Sequence, residues 1–312
     1  MTRLPADCVS EGALVTDPDI VATYAVDSSY GAVPAADVTL VRARDVADVV
    51  AVLREAQAHG IPVVPQGART ALTGAACAVA GGIVLNVEDL TGIDIDPVEG
   101  LAWVGPGVVT SDLKAAAADQ GLHYPPDPAS ADTSTIGGNI ATNAGGLCCV
   151  KYGVTADYVS ALEVVLPGGE RIRTGKRTAK GVAGLDLTGL FVGSEGTLGV
   201  VTRALVKLRP APDPALTAVA TFDSLDAAVQ GILAVREDRH RPSLLEFLDR
   251  ASLDAIAAVG DYGFPDDCEA ALLVQSDRPD HTAQDVERYA AALTRAGAVE
   301  VAVADSRSEA EL

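Results

Sequence analysis

Basic side chains are scarce in this chain: 23 lysines and arginines, only five of them lysine, against 43 acidic residues, for a net charge of −20. That balance argues against a nucleic acid or an anionic membrane as partner. It also means that any phosphate-bearing ligand must be held mainly by backbone N–H groups in glycine-rich turns. Apolar runs of the roughly 20 residues needed to cross a bilayer are missing, and the first residues, Met1 to Asp7, carry no hydrophobic signal core. No integral membrane segment and a cytoplasmic location are the expectations. The five cysteines (Cys8, Cys77, Cys148, Cys149, Cys268) form no Cys-x-x-Cys pair, and adjacent Cys148 and Cys149 do not make an ordinary structural bridge. The four histidines, His59, His123, His240 and His281, show no i,i+3 or i,i+4 pairing, so no metal site is expected. His123 is read as a packed or half-exposed histidine rather than a base.

What the chain has instead is glycine and alanine in particular places. Four glycines and two alanines fall between Thr133 and Gly146, leaving a backbone that a rigid planar ligand can lie against. Just before it, Tyr124-Pro125-Pro126-Asp127-Pro128-Ala129-Ser130 stiffens the approach with three prolines. The alternative is a tight joint between a loop and a helix. At 312 residues, 48% of them hydrophobic, the chain can build two domains.

Residues 1–33 read as a lead-in with short helices. A helix follows from Asp45 to Ala58, with Val46, Val49, Val50 and Leu53 on its inner face and Gly60 ending it. A strand Ile61–Val64 then runs into Pro65-Gln66-Gly67-Ala68-Arg69-Thr70-Ala71-Leu72-Thr73-Gly74, a turn of small and hydroxylated residues where N–H groups can converge on an anion. Strands are expected at 82–86, 93–96 and 101–104, then a helix capped near Thr110 or Ser111 and closed by Gly121. Gly105-Pro106-Gly107 is no dinucleotide fingerprint, because Thr110 stands at the third glycine position. The basic run Thr174 to Lys180 reads as a solvated loop, and Arg177 stands where a P-loop needs serine or threonine. Val192 likewise breaks a nucleophile elbow at Ser194. Three prolines between Pro210 and Pro214 mark a domain boundary. Beyond it, alternating strands and helices continue from Leu216, with Leu225, Ala228, Val229 and Ile232 expected on the inner face of the first helix. Ser308 to Leu312 resembles the start of another helix.

Taken in order, Pro65–Thr70, Pro125–Ser130, Thr135–Asn139, Asn143–Gly146, Lys151-Tyr152-Gly153 and Gly193–Gly199 resemble the FAD-linked oxidase family, in its glycolate oxidase and D-lactate dehydrogenase branch. The resemblance is dense from Pro34 to Pro214. It implies an α+β fold: a two-lobed FAD-binding PCMH-type domain of the vanillyl-alcohol-oxidase kind over 34–214, then part of a ferredoxin-like α+β cap over 215–312. It also implies that Pro65, Gln66, Gly67, Ala68, Arg69, Thr70, Ala71, Leu72 and Thr73 wrap the FAD pyrophosphate. Pro126, Asp127, Ser130, Thr133, Thr135, Ile136, Gly137 and Gly138 line the flavin and its ribityl chain, and Thr142, Asn143, Ala144 and Gly145 extend that wall. Glu195, Gly196, Val200 and Val201 close on the adenosine half. The family's covalent flavin histidine has no counterpart in Pro65–Gly74, so FAD is expected to be non-covalent.

The resemblance further implies oxidation of a small D-2-hydroxy acid such as glycolate or D-lactate, with hydride passing to flavin. The alternative is a non-catalytic flavin-binding subunit of a glycolate-oxidase-like complex. A partner subunit and a homodimer both stay open, and the electron acceptor is unassigned. The family's substrate-binding arginine and its His-Gly-Asp-Gly-Asn-x-His motif are not in the 312 residues, so the chain is expected to hold only part of the cap. No catalytic residue is assigned; Lys180 is noted only for electrostatic assistance. Two departures stand out. Arg69 and Ala71 occupy positions where relatives often carry glycine, and Gly184-Leu185-Asp186-Leu187 replaces Gly-Tyr-Asp-Leu.

Overall fold

A computed structural model describes residues 4–303. The chain divides into two compact units, one of residues 1–145 and 154–210, the other of 146–153 and 211–312.

The first unit contains two sheets. In the first, β1 (Leu14–Val15), β2 (Thr39–Arg42), β3 (Val63–Gln66) and β4 (Ile83–Asn86) lie in the order β1-β2-β4-β3. β2 and β3 both pair parallel with β4, whereas β1 adds an antiparallel edge. All four residues of β4 are buried, as expected of a central strand covered on both faces. The lead-in thus contributes a strand as well as the short helix α1 (Pro18–Thr23). Helix α2 (Val46–His59) is capped by the Asp45 carboxylate, which accepts the Asp48 N–H, and it ends at Gly60 with φ +65°. Its Val49, Val52, Leu53 and Ala56 enter the core between the sheets, alongside Ile83, Leu85, Val165 and Val200. The strand expected at Ile61–Val64 begins two residues later. The Ile61 N–H bonds back to Ala56 O, completing the left-handed helix terminus instead of joining the sheet.

The second sheet is antiparallel, in the order β5-β6-β10-β8-β9. It comprises the hairpin β5 (Ile93–Asp96) and β6 (Leu101–Val104), then β8 (Val159–Val165), β9 (Arg171–Gly175) and β10 (Val200–Lys207). A two-residue pairing of β7 (Leu122–His123) with β11 (Arg209–Pro210) places His123 half-buried opposite Arg209. Helix α3 (Thr110–Ala118) has no side-chain cap, contrary to expectation. The Thr110 and Ser111 N–H groups bond to Ser134 O and Ala131 O instead, tying the proline-rich loop to the helix start. The short helices α4 (Ile136–Thr142), α6 (Thr155–Tyr158) and α7 (Leu187–Phe191) complete the unit.

The second unit has the sheet order β13-β14-β12-β15, built from β12 (Leu216–Phe222), β13 (Leu244–Asp249), β14 (Ala270–Ser276) and β15 (Glu300–Val303). With α8 (Leu225–Glu237) and α10 (Thr282–Arg295) as crossovers, this is the β-α-β-β-α-β arrangement of a ferredoxin-like layer. A further helix, α9 (Arg250–Ala257), follows β13. Ser224 caps α8, its side chain accepting the Ala227 N–H, but the inner face differs from expectation. Ala228, Gly231 and Val235 are buried, whereas Leu225 and Val229 are exposed. Gly231 explains the rotation: a Cβ there would lie about 3 Å from Phe222 and Leu272, so the helix seats on its smallest residue.

Helix α5 (Cys149–Tyr152) belongs to this second unit although it precedes the boundary by some sixty residues. Lys151 and Tyr152 both reach the buried carboxylate of Asp277. The 34–214 boundary therefore needs an excursion at Gly146–Gly153. Ser308–Leu312 lies outside the described residues. Among the described residues no helix is long and apolar enough to cross a membrane, and no group of three His, Cys, Asp or Glu is placed to hold a metal.

Candidate functional site: a cleft lined by backbone

The loop after β3, the α4 segment and the start of β10 surround a cleft of about 320 Å³ within the first unit. All nine residues Pro65–Thr73 line it, as do Ser130, Thr135, Gly137, Gly138, Thr142, Ala144, Glu195, Gly196, Val200 and Val201. The structure brings these sequence-predicted residues together.

Six expected residues lie elsewhere, each for a physical reason. Ile136 is fully buried in the core. Asp127 is ion-paired to Lys114 beside Pro126, which is itself buried. Thr133 turns its hydroxyl onto Ser130 O and lines a second groove instead. Asn143 is the left-handed C-cap of α4, φ +50°, and its side chain accepts the Ala156 N–H at 2.8 Å. Gly145 ends the first unit's segment without reaching the cleft. Residues 175–180 of the basic loop, Lys180 included, are exposed and do not line the cleft, and Cys148 and Cys149 belong to the second unit. Leu185, in the place of the relatives' aromatic, is 89% exposed, while Asp186 caps α7 and so delivers Phe191 to the cleft wall.

Covalent geometry fixes how the 65–73 loop presents itself. Gly67 O accepts a bond from Asn86 Nδ2 at 3.2 Å, and Arg69 O and Ala71 O each accept the Ser28 N–H at 3.1 Å. In a trans peptide the next N–H points opposite to the carbonyl, and no peptide bond among the described residues is cis. Tying back these three carbonyls therefore turns the N–H groups of Ala68, Thr70 and Leu72 the other way, from residues that line the cleft. Among the described residues none of those three N–H groups donates to a protein acceptor. Three free amides at alternate positions around a left-handed residue, turned to one side of the loop, make an anion-binding concavity, an amide nest.

That left-handed residue is Arg69, φ +61°. A left-handed backbone is one that glycine adopts without strain. The Arg69 guanidinium sits 4.1 Å from the Tyr24 ring centre and 3.5 Å from Glu88, so its charge is already engaged. We expect Arg69→Ala to lower the melting temperature more than Arg69→Gly. Both lose the stacking, but only alanine keeps about 1 kcal/mol of left-handed strain. Equal melting temperatures would show that the backbone relaxes.

The glycines divide into two kinds. A Cβ on Gly67 would lie 2.3 Å from Thr135 Oγ1, and one on Gly137 would lie 2.6 Å from Pro106 Cβ. Both are close-approach positions between protein segments. Gly138 differs: a Cβ there would meet only Thr135 Oγ1, at 3.4 Å, and would otherwise enter open space on the cleft side. Buried Asn139 donates to Thr110 Oγ1 at 2.6 Å, and Thr110 in turn bonds Ser134, so the wall is anchored behind. Sequence reasoning missed Ala75, Ala76, Val87, Pro106, Pro128, Asn139, Ala141, Phe191, Ser194 and Gly199. Pro128, Asn139, Ser194 and Gly199 stand inside recognised motifs and were within reach; Val87 and Phe191 carry no local signal.

Among the lining residues the only charged side chains are Arg69 and Glu195, and there is no histidine, cysteine or tyrosine. The cleft is thus a long, nearly uncharged slot with an amide nest at one wall and a bare glycine–alanine wall at another. These features suit a dinucleotide whose diphosphate bonds to backbone N–H and whose ring lies on small residues.

Comparison with known proteins agrees. The model of a FAD binding domain matches residues 39–175, and that of the C-terminal domain of FAD linked oxidases matches 211–312. The chain belongs to the FAD-linked oxidase family, and FAD is its cofactor. Within that family it is 43% identical over 293 residues to the glycolate oxidase subunit GlcD of Bacillus subtilis, covering 93% of this chain and 62% of that protein. A D-lactate dehydrogenase of Anaerostipes hadrus is 36% identical over 276 residues, 86% of this chain and 58% of that one. An uncharacterized FAD-linked oxidoreductase of Mycobacterium tuberculosis is 35% identical over 321 residues, 100% of this chain and 70% of its own length. These place the chain in the glycolate oxidase and D-lactate dehydrogenase branch, of whose two named members it spans about six-tenths. A solved alkyldihydroxyacetonephosphate synthase shares the fold, with TM-score 0.76 at 20% identity over 96% of this chain and 60% of that one.

Proposed function

We propose that this chain is the flavin-holding portion of an enzyme oxidising a D-2-hydroxy acid, glycolate or D-lactate, to the 2-oxo acid. The observation that carries the reading is the nest of free amides facing a glycine–alanine wall in one cleft. The names of the relatives give the substrate class. Residues 34–214, less the excursion at 146–153, form the cofactor domain, and 215–312 belong to the cap.

In this reading the amides of Ala68, Thr70 and Leu72 hold the diphosphate without help from cationic side chains. Gly138, Ala141 and Ala144 form the surface for the ring, while Phe191, Val200 and Val201 exclude water from the slot. Glu195 and Gly196 border the adenosine half. Bound FAD supplies the acceptor for the hydride leaving the hydroxyl-bearing carbon. The lining has no side chain suited to a covalent flavin link, which supports non-covalent binding. Nor does it offer a histidine or lysine to take the hydroxyl proton, so no catalytic base is assigned to the cleft. The same observation favours a second reading, a flavin-binding subunit whose catalytic groups come from a partner. A cytoplasmic setting is supported by five cysteines with no disulfide between them among the described residues.

The test is a visible absorption spectrum of the purified chain, followed by anaerobic addition of glycolate and then D-lactate. Bleaching of a flavin spectrum is the result expected if the chain is itself competent. A spectrum that stays oxidised leaves the cofactor site standing and assigns catalysis to residues outside this chain, whether of the same protein or of a partner. A colourless protein that also refuses added FAD overturns both.

A further inference from the structure

The lead-in before residue 39, which lies ahead of the matched FAD-binding region, bonds to the loop after β3 through Tyr24, Ala25 and Ser28. Tyr24 O accepts the buried Gln66 Nε2 at 2.8 Å, and Ala25 O accepts the Ala78 N–H at 2.9 Å. The Ser28 N–H bridges Arg69 O and Ala71 O, and Ser28 Oγ adds a second bond to Arg69 O at 3.1 Å. The Tyr24 ring backs the Arg69 guanidinium. This strap thus grips the loop after β3 at both its ends and at its middle.

Asp27 is the hub of the strap. It is only 8% exposed, yet no cation pairs with it among the described residues. Its Oδ1 accepts the Ser29 N–H at 3.0 Å, the Ser29 hydroxyl at 2.6 Å and the Cys77 thiol at 3.3 Å; its Oδ2 takes the Ala76 N–H at 3.4 Å. A buried carboxylate close to an anion-binding loop is an electrostatic cost in a protein of net charge −20. The four donors offset it, and an acceptor able to take four bonds at once is what only a carboxylate offers here. By closing the turn at Ser29, Asp27 fixes the direction of the intervening Ser28 N–H, and with it the two carbonyls whose peptides carry the Thr70 and Leu72 amides.

We propose that Tyr24–Ser29, through Asp27 and Ser28, is the positioning element of the FAD diphosphate nest. Asp27 and Ser28 are positioning residues: they touch the loop and not the ligand. The proposal rests on the reading of the cleft as the FAD site and names what pre-organises it.

The probes are FAD, ADP and riboflavin. Dissociation constants for each are measured on apo-protein by calorimetry or flavin fluorescence, with apo-protein melting temperatures alongside. Asp27→Ala is expected to weaken FAD and ADP by about tenfold or more, as for loss of roughly one well-formed amide–phosphate bond. Riboflavin, which has no phosphate, is expected to change less than about twofold. Should Asp27→Ala not fold, Ser28→Ala and Asp27→Asn take its place, with smaller losses of the same sign. A loss shared equally by riboflavin, or no loss with any ligand, overturns the positioning role. Failure of the unaltered protein to bind FAD or ADP would instead overturn the reading of the cleft itself.

Discussion

Gly137→Ala is expected to cost the protein stability and flavin together, whereas Gly138→Ala is expected to cost flavin alone. Both residues lie in α4, where alanine in place of glycine gains up to about 1 kcal/mol of helix propensity. At Gly137 that gain is outweighed. The added methyl would stand 2.6 Å from Pro106 Cβ and 3.0 Å from Pro106 O. α4 cannot step back without stretching the bonds from Gly137 N to Pro106 O and from Ile136 N to Val108 O, both 2.8 Å. Overpacking of this kind costs about 1–3 kcal/mol, and here it also shifts the wall of the cleft. At Gly138 the methyl meets no packed neighbour and projects into the cleft, where the proposed function places the ring. The check is the melting temperature of each apo-protein together with the ratio of flavin to protein absorbance after loading. A Gly138→Ala protein that retains full flavin would sink the assignment of that wall.

The other large effect belongs to the second unit. Asp285 is 1% exposed and receives bonds from Arg278 at 2.6 and 2.7 Å, Ser276 at 3.0 Å and Arg288 at 2.7 Å. Burial acts to raise its pKa, but the bonds from Arg278, Ser276 and Arg288 act more strongly and bring it down to about 2 from 3.8. A carboxyl with a folded value below its unfolded one stabilises fully above the unfolded value. That contribution, about 2 kcal/mol, is lost as pH falls through the folded value, so between about pH 4 and 2. Asp285→Asn is expected to destabilise by about 2–4 kcal/mol at neutral pH, since two arginines lose their shared partner. It should also flatten this acid limb of the stability curve. Denaturant titrations across pH test both, and an unchanged acid limb would mean that other carboxylates carry the dependence.

Motif reading found the lining of the cleft and not its support. Pro65–Thr73, Thr135, Gly137 and Gly138 were legible because small residues in a run have few other uses. Their contacts with Ser28, Asn86 and Pro106 were not, since each is made across a gap in sequence that no local pattern records. The same limit explains Asn143 and Asp127. Both stand in a recognised motif, but one caps a helix and the other pairs with Lys114, roles that depend on where the chain turns next. Elements with clear periodicity, such as the β5–β6 hairpin, came out to the residue. The inner face of α8 did not, because Gly231 seats it more closely than its larger apolar residues would.

The eight residues Gly146–Gly153 have a bearing on how the polypeptide is made. Lys151 and Tyr152 leave the ribosome well over a hundred residues ahead of Asp277, their common partner. The proline-rich stretch after Arg209 reads as a place to cut, yet a piece beginning there carries a buried aspartate stripped of both its donors. The two units are therefore separate as bodies but interleaved as sequence. Neither reaches its final form by a single uninterrupted stretch of synthesis, and the second must wait with its first-made piece already in hand.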